Sequence, residues 1–194
     1  MEKTHFLSGI FKRSNFTADE FELILAQYER LKFKKNEYLF RQDQIGNFYY
    51  FIEEGFARSY AIDLRGIDIT TKFFASGDIV IDWQSYFLKT PCQEPIQALT
   101  SCVVWKISFS NFMKLFKIEA FREVGRTALI GNYFELKNHS LSTITTTAAD
   151  RYTTLLKQKP DIVKNVPLKH IATYLGIGDT SLSRVRKDVN RKKP

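Results

Sequence analysis

The 194-residue sequence predicts an α+β fold: a jelly-roll-like β-roll first, one long connecting helix next, and a compact helical unit at the C-terminal end. Three observations predict it. Between Phe33 and Ser108, short aromatic and β-branched runs alternate with turn residues every 8–12 residues or so, the rhythm of a roll or sandwich. From Asn111 onward the strand signals stop, and Ile118–Leu141 is a Pro-free stretch with apolar residues at helical spacing. The charge is also divided: residues 1–150 carry 18 basic and 18 acidic side chains, whereas residues 151–194 carry 11 and 3. A basic segment on a neutral body is the footprint of a nucleic-acid-binding module.

Each element has its own signal. Phe16–Leu31 fits a short amphipathic helix, with Thr17 and Glu20 spaced as a capping box and Phe21, Leu25 and Tyr28 on one face. Phe48–Ile52 and Phe56–Ile62 read as strands around Gly55. Asp63-Leu64-Arg65-Gly66 reads as a hairpin turn into Ile67–Phe74, and Ser76-Gly77-Asp78 turns the chain again. Ile96–Leu99 and Val103–Ile107 complete the strands. In the long helix Phe121, Val124, Ala128 and Tyr133 recur at helical spacing. A small roll cannot bury so long a helix from one side, so Phe121, Val124 and Ala128 are assigned to contact with a second copy of the chain. The alternative is a helix lying wholly on its own domain. Ser142–Thr147 reads as a hinge, because Ser and Thr compete for backbone hydrogen bonds. The chain therefore divides into a roll with its N-terminal helix (1–117), a dimerisation helix and hinge (118–145), and a C-terminal domain (146–194).

Composition narrows the function. A chain that is 44% hydrophobic and 26% charged is not a disordered tail, and 17 Phe with 9 Tyr suit a β-rich core. No run of eighteen apolar residues occurs, and Met1–Ile10 carries Glu2, Lys3 and His5 in place of a signal-peptide core. A cytoplasmic protein without membrane contact is expected. Cys92 and Cys102 are too few for a structural zinc or iron–sulfur site, and read as reduced, partly buried thiols. No histidine lies between Phe6 and Asn138, so no His-based metal centre can sit in the roll. His139 is expected to be exposed, and His170 to serve packing or a phosphate contact. No nucleophile–His–acid pattern is visible, and an enzyme is not expected.

Leu168–Val189 carries the most specific spacing in the chain. Ile171 and Leu175 lie four apart on one face with small Ala172 beside them, and Gly176 ends that helix where a left-handed backbone is needed. Ile177 fills the turn, and Gly178 or Asp179 starts a second helix whose Leu182 and Val185 face back onto the first. This is the pattern of a helix-turn-helix, spanning roughly Leu168–Asn190. Its opposite face presents Thr180, Ser181, Ser183, Arg184 and Lys187. Arg184 suits a guanine edge or a phosphate, and Arg186, Lys187, Arg191, Lys192 and Lys193 suit phosphates.

With these residues in view, the chain resembles the Crp/Fnr family of regulators. The resemblance rests on YLFRQDQIGNFYYFIEEGFARSY, DLRG and FFASGD in a cyclic-nucleotide-binding-like roll. The long helix follows, and then ADRYTTLLKQKPDIVKNVPLKHIATYLGIGDTSLSRVRK. It implies a homodimer on a two-fold-related DNA site, with double-stranded DNA and RNA polymerase as partners. The ligand cassette departs from the family pattern. Its Gly-Glu position reads Ile81-Asp82, and its Arg-Ser position falls at Glu94–Gln97 without a basic residue, which removes the phosphate clamp. Cyclic AMP held in the usual way is not expected. Asp82, Trp83 and Gln97 mark the candidate pocket for another small molecule, and the aromatics Trp83, Tyr86 and Phe87 fit either that pocket or the core. The recognition-helix start differs as well, with Thr180 at the position where relatives often carry Glu. A different class of reading stays open: a ligand-binding roll that signals through protein contacts without specific DNA binding.

Overall fold

The structure, a computed structural model, describes residues 3–191. Its strands are β1 (Glu29–Phe33), β2 (Tyr38–Phe40), β3 (Phe48–Glu54), β4 (Ala57–Ile62), β5 (Asp68–Phe74), β6 (Ile79–Val80), β7 (Ile96–Ala98) and β8 (Cys102–Ser108). They form two four-stranded antiparallel sheets of order β1-β8-β3-β6 and β2-β7-β4-β5. The helices are α1 (Lys3–Ile10), α2 (Ala18–Ala26), α3 (Trp83–Leu88), α4 (Phe109–Leu115), α5 (Glu119–Thr145), α6 (Ala148–Gln158), α7 (Pro160–Asn165), α8 (Leu168–Tyr174) and α9 (Asp179–Arg191).

Strand β3 explains the aromatic wealth of the sequence. Tyr50 and Ile52 point between the two sheets, while Tyr49 and Phe51 point the other way, beneath the N-terminal helices and the start of α5. Both faces are buried, so the strand reads as a continuous apolar run instead of an alternating one. Strand β8 repeats the arrangement, with Cys102 and Val104 inside the roll and Trp105 and Ile107 under the helices. A third core joins Phe73 of β5 and Leu99, just after β7, to Tyr152, Leu155, Ile162, Ile171 and Leu182 of the C-terminal helices.

The turns obey local chemistry. Gly55 holds φ at +93°, and Gly66 in the β4–β5 hairpin at +80°. That hairpin closes with Gly66 N–H donating to Asp63 C=O and Asp63 N–H to Ile67 C=O. The Asp63 carboxylate accepts from the Arg65 and Ile67 amides as well.

Several expectations change. The helix predicted over Phe16–Leu31 stops at Ala26, because Glu29–Phe33 pairs with β8 as an edge strand. Its Thr17–Glu20 capping box is present, with the Glu20 N–H 3.2 Å from Thr17 Oγ1. The hinge predicted at Ser142–Thr147 is helical through Thr145. Ser142 and Thr143 both donate to the His139 carbonyl, and Thr145 to Leu141, so these hydroxyls bond within the helix without breaking it. The break falls at Thr146, and Thr147 caps α6. Both cysteines are free and fully buried. No helix among the described residues is long and apolar enough to cross a membrane.

Candidate nucleic-acid interface

Helix α8 begins after Pro167 and buries His170, Ile171 and Ala172. It ends at Gly176, whose φ of +68° needs no β-carbon penalty, and the Ile177 N–H returns to the Ala172 carbonyl. Gly178 accepts from Leu182, and Asp179 opens α9 with its acid at the positive end of the helix. Leu182 is buried against α8, and Val185 and Val189 pack at its margin. The turn is further anchored by Arg151, whose Nη2 donates to the Leu175 carbonyl at 2.8 Å and whose Nη1 donates to Thr146 at 2.6 Å. Arg151 thus ties the end of α5 to the α8–α9 turn. No spacing in the sequence marks this role, because both partners are backbone carbonyls.

The other side of α9 is open. Thr180, Ser181, Ser183, Arg184, Lys187 and Arg191 are all exposed, on the face opposite Leu182. Asp179 lies at the same end, and Ser183 bonds back to its carbonyl. Arg186 is half-buried at the flank of the helix. Lys192 and Lys193 lie outside the described residues.

The two helices are carried by the second sheet. Thr173 Oγ1 accepts from the Thr70 amide at 3.2 Å and bonds to the Thr70 hydroxyl at 3.3 Å. Buried Arg58 donates to Thr70 and, from its second nitrogen, to Asp68 at 2.6 Å, which holds the Asp68 carboxyl below the usual carboxylate range. His170 is 6% exposed, with Nδ1 4.0 Å from Asp68. Burial first, and Arg58 second, push its pKa down to about 4, so it packs as a neutral ring. His139, expected at the surface, is half-buried and stacks on Tyr174 with ring centroids 4.4 Å apart. Lys159, where α6 meets α7, is 2.7 Å from Glu135 of α5 and 3.6 Å from Asp78, and Lys72 of β5 is 3.1 Å from the same Glu135.

The residues proposed for a roll pocket do not meet. Asp82 caps α3 by accepting from the Ser85 amide, and Gln97 on β7 donates to the Asn36 carbonyl. Trp83 instead stacks on Phe87 and walls a cavity of about 790 Å³ beside α5, outside the sheets. Between the sheets, Phe40, Phe48 and Tyr50 sit with ring centroids 5.2–5.6 Å apart and, with Leu39, Arg41 and Cys92, line a cavity of about 210 Å³. Glu94, in the Glu94–Gln97 stretch where the family pattern has a basic residue, accepts a hydrogen bond from Thr71 at 2.7 Å. Lys72 turns to Asn132 and Glu135, and Lys89 lies over the Phe109 ring. Among the described residues no cluster of His, Cys, Asp and Glu could hold a metal ion.

The assignment of Phe121 to a dimer contact is corrected, because its side chain is 3% exposed and stacks on Phe11 inside its own core. Val124 and Ala128 are half-buried. The exposed apolar residues of α5 lie further on, among them Ile130, Phe134, Leu141 and Ile144.

A roll of two antiparallel sheets, a long helix leaving it and a helical unit returning onto the β4–β5 hairpin define the architecture of the Crp/Fnr regulators, and the chain has that architecture. Residues 30–119 match the cyclic nucleotide-binding domain family. Among solved structures, the chain is similar to FixK2 from Bradyrhizobium japonicum, with a TM-score of 0.72, 18% identity and 85% of each chain covered. It is similar to a Crp/Fnr-family regulator from Eubacterium rectale, with a TM-score of 0.68, 14% identity, and 95% of this chain and 88% of that one covered. The catabolite activator protein of Thermus thermophilus aligns with a TM-score of 0.56 and 16% identity, over 93% of this chain and 86% of that one. Comparison with curated proteins finds no match.

Proposed function

We propose that the chain is a sequence-specific DNA-binding transcription regulator of the Crp/Fnr type, acting as a homodimer on a two-fold-related site. The observation that carries the reading is the α9 surface. Its apolar side is held by Leu182 and the α8 turn, while Thr180, Ser181, Ser183, Arg184, Lys187 and Arg191 stand exposed on the other. A helix fixed on one face and lined with hydroxyls and cations on the other suits a major groove, so α8 and α9 act as a helix-turn-helix. The excess of 11 basic over 3 acidic side chains in residues 151–194 supplies phosphate attraction. That the structures of similar fold are named as regulators supports the same role.

In this reading residues 1–117 are the sensor, 118–145 the dimerisation helix and 146–194 the DNA-binding domain, with RNA polymerase as the further partner and the cytoplasm as the compartment. Cyclic AMP held in the usual way does not fit. Glu94–Gln97, at the position of the family's phosphate clamp, holds no cation, and the cavity of about 210 Å³ bordered by Phe40, Phe48 and Tyr50 is smaller than the usual small-molecule site. No enzymatic step is proposed.

The test is selection of DNA from a random pool by the purified protein without added ligand. Recovery of an inverted repeat with half-sites about 34 Å apart supports the reading. If no motif appears, even with cyclic nucleotides or cell extract present, it fails in favour of a roll that signals through protein contacts.

A further inference from the structure

The cavity of about 790 Å³ lies outside the roll, between α1, the outer face of the first sheet, α3 and the first half of α5. Its volume is in the range of small-molecule sites, and its walls are mostly apolar, with the aromatics Trp83, Phe87, Phe112 and Phe116 among them. Tyr86 also walls it. That residue is 1% exposed, and among the described residues its hydroxyl has no hydrogen-bond partner. A buried hydroxyl without a partner is costly and is relieved by a ligand that supplies an acceptor or donor.

The wall carries two cations, Arg122 and Arg126, and two anions, Asp78 and Glu123, but they are not paired alike. Glu123 is paired with Arg126, and Asp78 lies 3.6 Å from Lys159. Arg122 meets the carbonyls of Phe116 and Lys117 but, among the described residues, no carboxylate within ion-pair distance. Arg122 also lies over the Phe116 ring and helps to hold the Glu123 carboxyl low. A guanidinium with no carboxylate within ion-pair distance at an apolar cavity still suits an apolar body with a single anionic head.

We propose that this cavity is an effector site for an apolar monocarboxylate, with Arg122 on the carboxylate and Trp83 and Phe87 against the body. The effector role rests on the regulator reading above, whereas binding itself does not. The same wall carries Asp78 and Asn132, whose partners are Lys159 and Lys72. A ligand touching them acts on contacts that hold the C-terminal helices to the roll and to α5.

The test is calorimetric titration of the full chain with decanoate and with decanol, its neutral counterpart, alongside Trp emission and sedimentation. The expected result is saturable binding of one decanoate per chain, with decanol about tenfold weaker. Arg122→Gln should weaken decanoate by about the same factor and leave decanol unchanged, and Arg122→Lys should restore part of the loss. Ala128→Trp, which fills the cavity from α5, should abolish binding of both. If that variant does not fold, the two Arg122 variants carry the test alone. Non-saturable binding, or equal affinity for decanoate and decanol, overturns the proposal. So does an absence of binding in a dimer that Ala128→Trp converts to monomer, a result that would give the groove to a second copy. None of these readouts uses DNA, so failure of the site and failure of the regulator reading are distinguished.

Discussion

His170 shows how one side chain couples pH to stability. With a folded pKa of about 4, below the usual 6.5, the folded chain binds fewer protons here than the unfolded chain between those two values. Stability from this group is complete above about pH 6.5 and is lost as pH falls toward 4. His139 shifts in the same direction through burial and then Arg151, and adds to the trend. Denaturant midpoints should fall from pH 7 to pH 5 by the equivalent of about 2 kcal/mol, and His170→Gln should flatten that slope. A slope equal in wild type and variant would place the pH sensitivity elsewhere. Two arginines of α9 separate reading from holding. Arg184→Ala should cost about 1–3 kcal/mol on a selected site and relax preference at one base, whereas Arg191→Ala should weaken all sequences alike. Competition binding with single-base variants of the site measures both.

At the scale of elements, the β3–β4 turn is the least forgiving. A β-carbon on Gly55 would lie 2.3 Å from the Ser101 carbonyl oxygen and 2.9 Å from the Cys102 Cα, at a φ of +93°. Both are backbone atoms that cannot step aside, so Gly55→Ala should destabilise the roll by about 3 kcal/mol, read by chemical denaturation. Gly66 has a similar φ, yet nothing lies within 4 Å of its added β-carbon, and its cost should be conformational only. Helix α5 is predicted from its other exposed side. Ile130, Phe134, Leu141 and Ile144 are 45–83% exposed, with Lys137 completing a spacing of four and three. That is the seam of a helix pair, so Phe134→Lys should shift the chain from dimer to monomer in sedimentation without altering its circular dichroism. A monomeric wild type would refute the seam.

For the whole molecule, the C-terminal helices are an extension of the roll. Phe73 and Leu99 share a core with α6, α8 and α9, and Lys159 links Glu135 of α5 with Asp78 beside β6. The reading face of α9 therefore has a defined orientation relative to α5, as a two-fold arrangement of half-sites requires. Binding of DNA by such a molecule should fall by about three orders of magnitude or more between 50 and 200 mM salt, if six to ten phosphates are engaged. A flat salt response would argue for the protein-docking alternative.

Periodicity and turn chemistry alone determined most of the secondary structure. The strands from Phe48 to Ile107, the Asp63–Gly66 hairpin, the Thr17–Glu20 box and the break between α8 and α9 are local events, decided within a few residues of chain. The exposed α9 residues were legible for the same reason, since one buried stripe specifies the opposite face. Tertiary structure decided the rest. Leu31 leaves the predicted helix because β8 offers it a strand partner. Phe121 turns inward and His139 finds Tyr174. Arg151 and the Lys72–Glu135–Lys159 network join segments far apart in the chain. A residue's spacing shows which face it shares, but only the folded chain brings the partner that gives that face its chemistry.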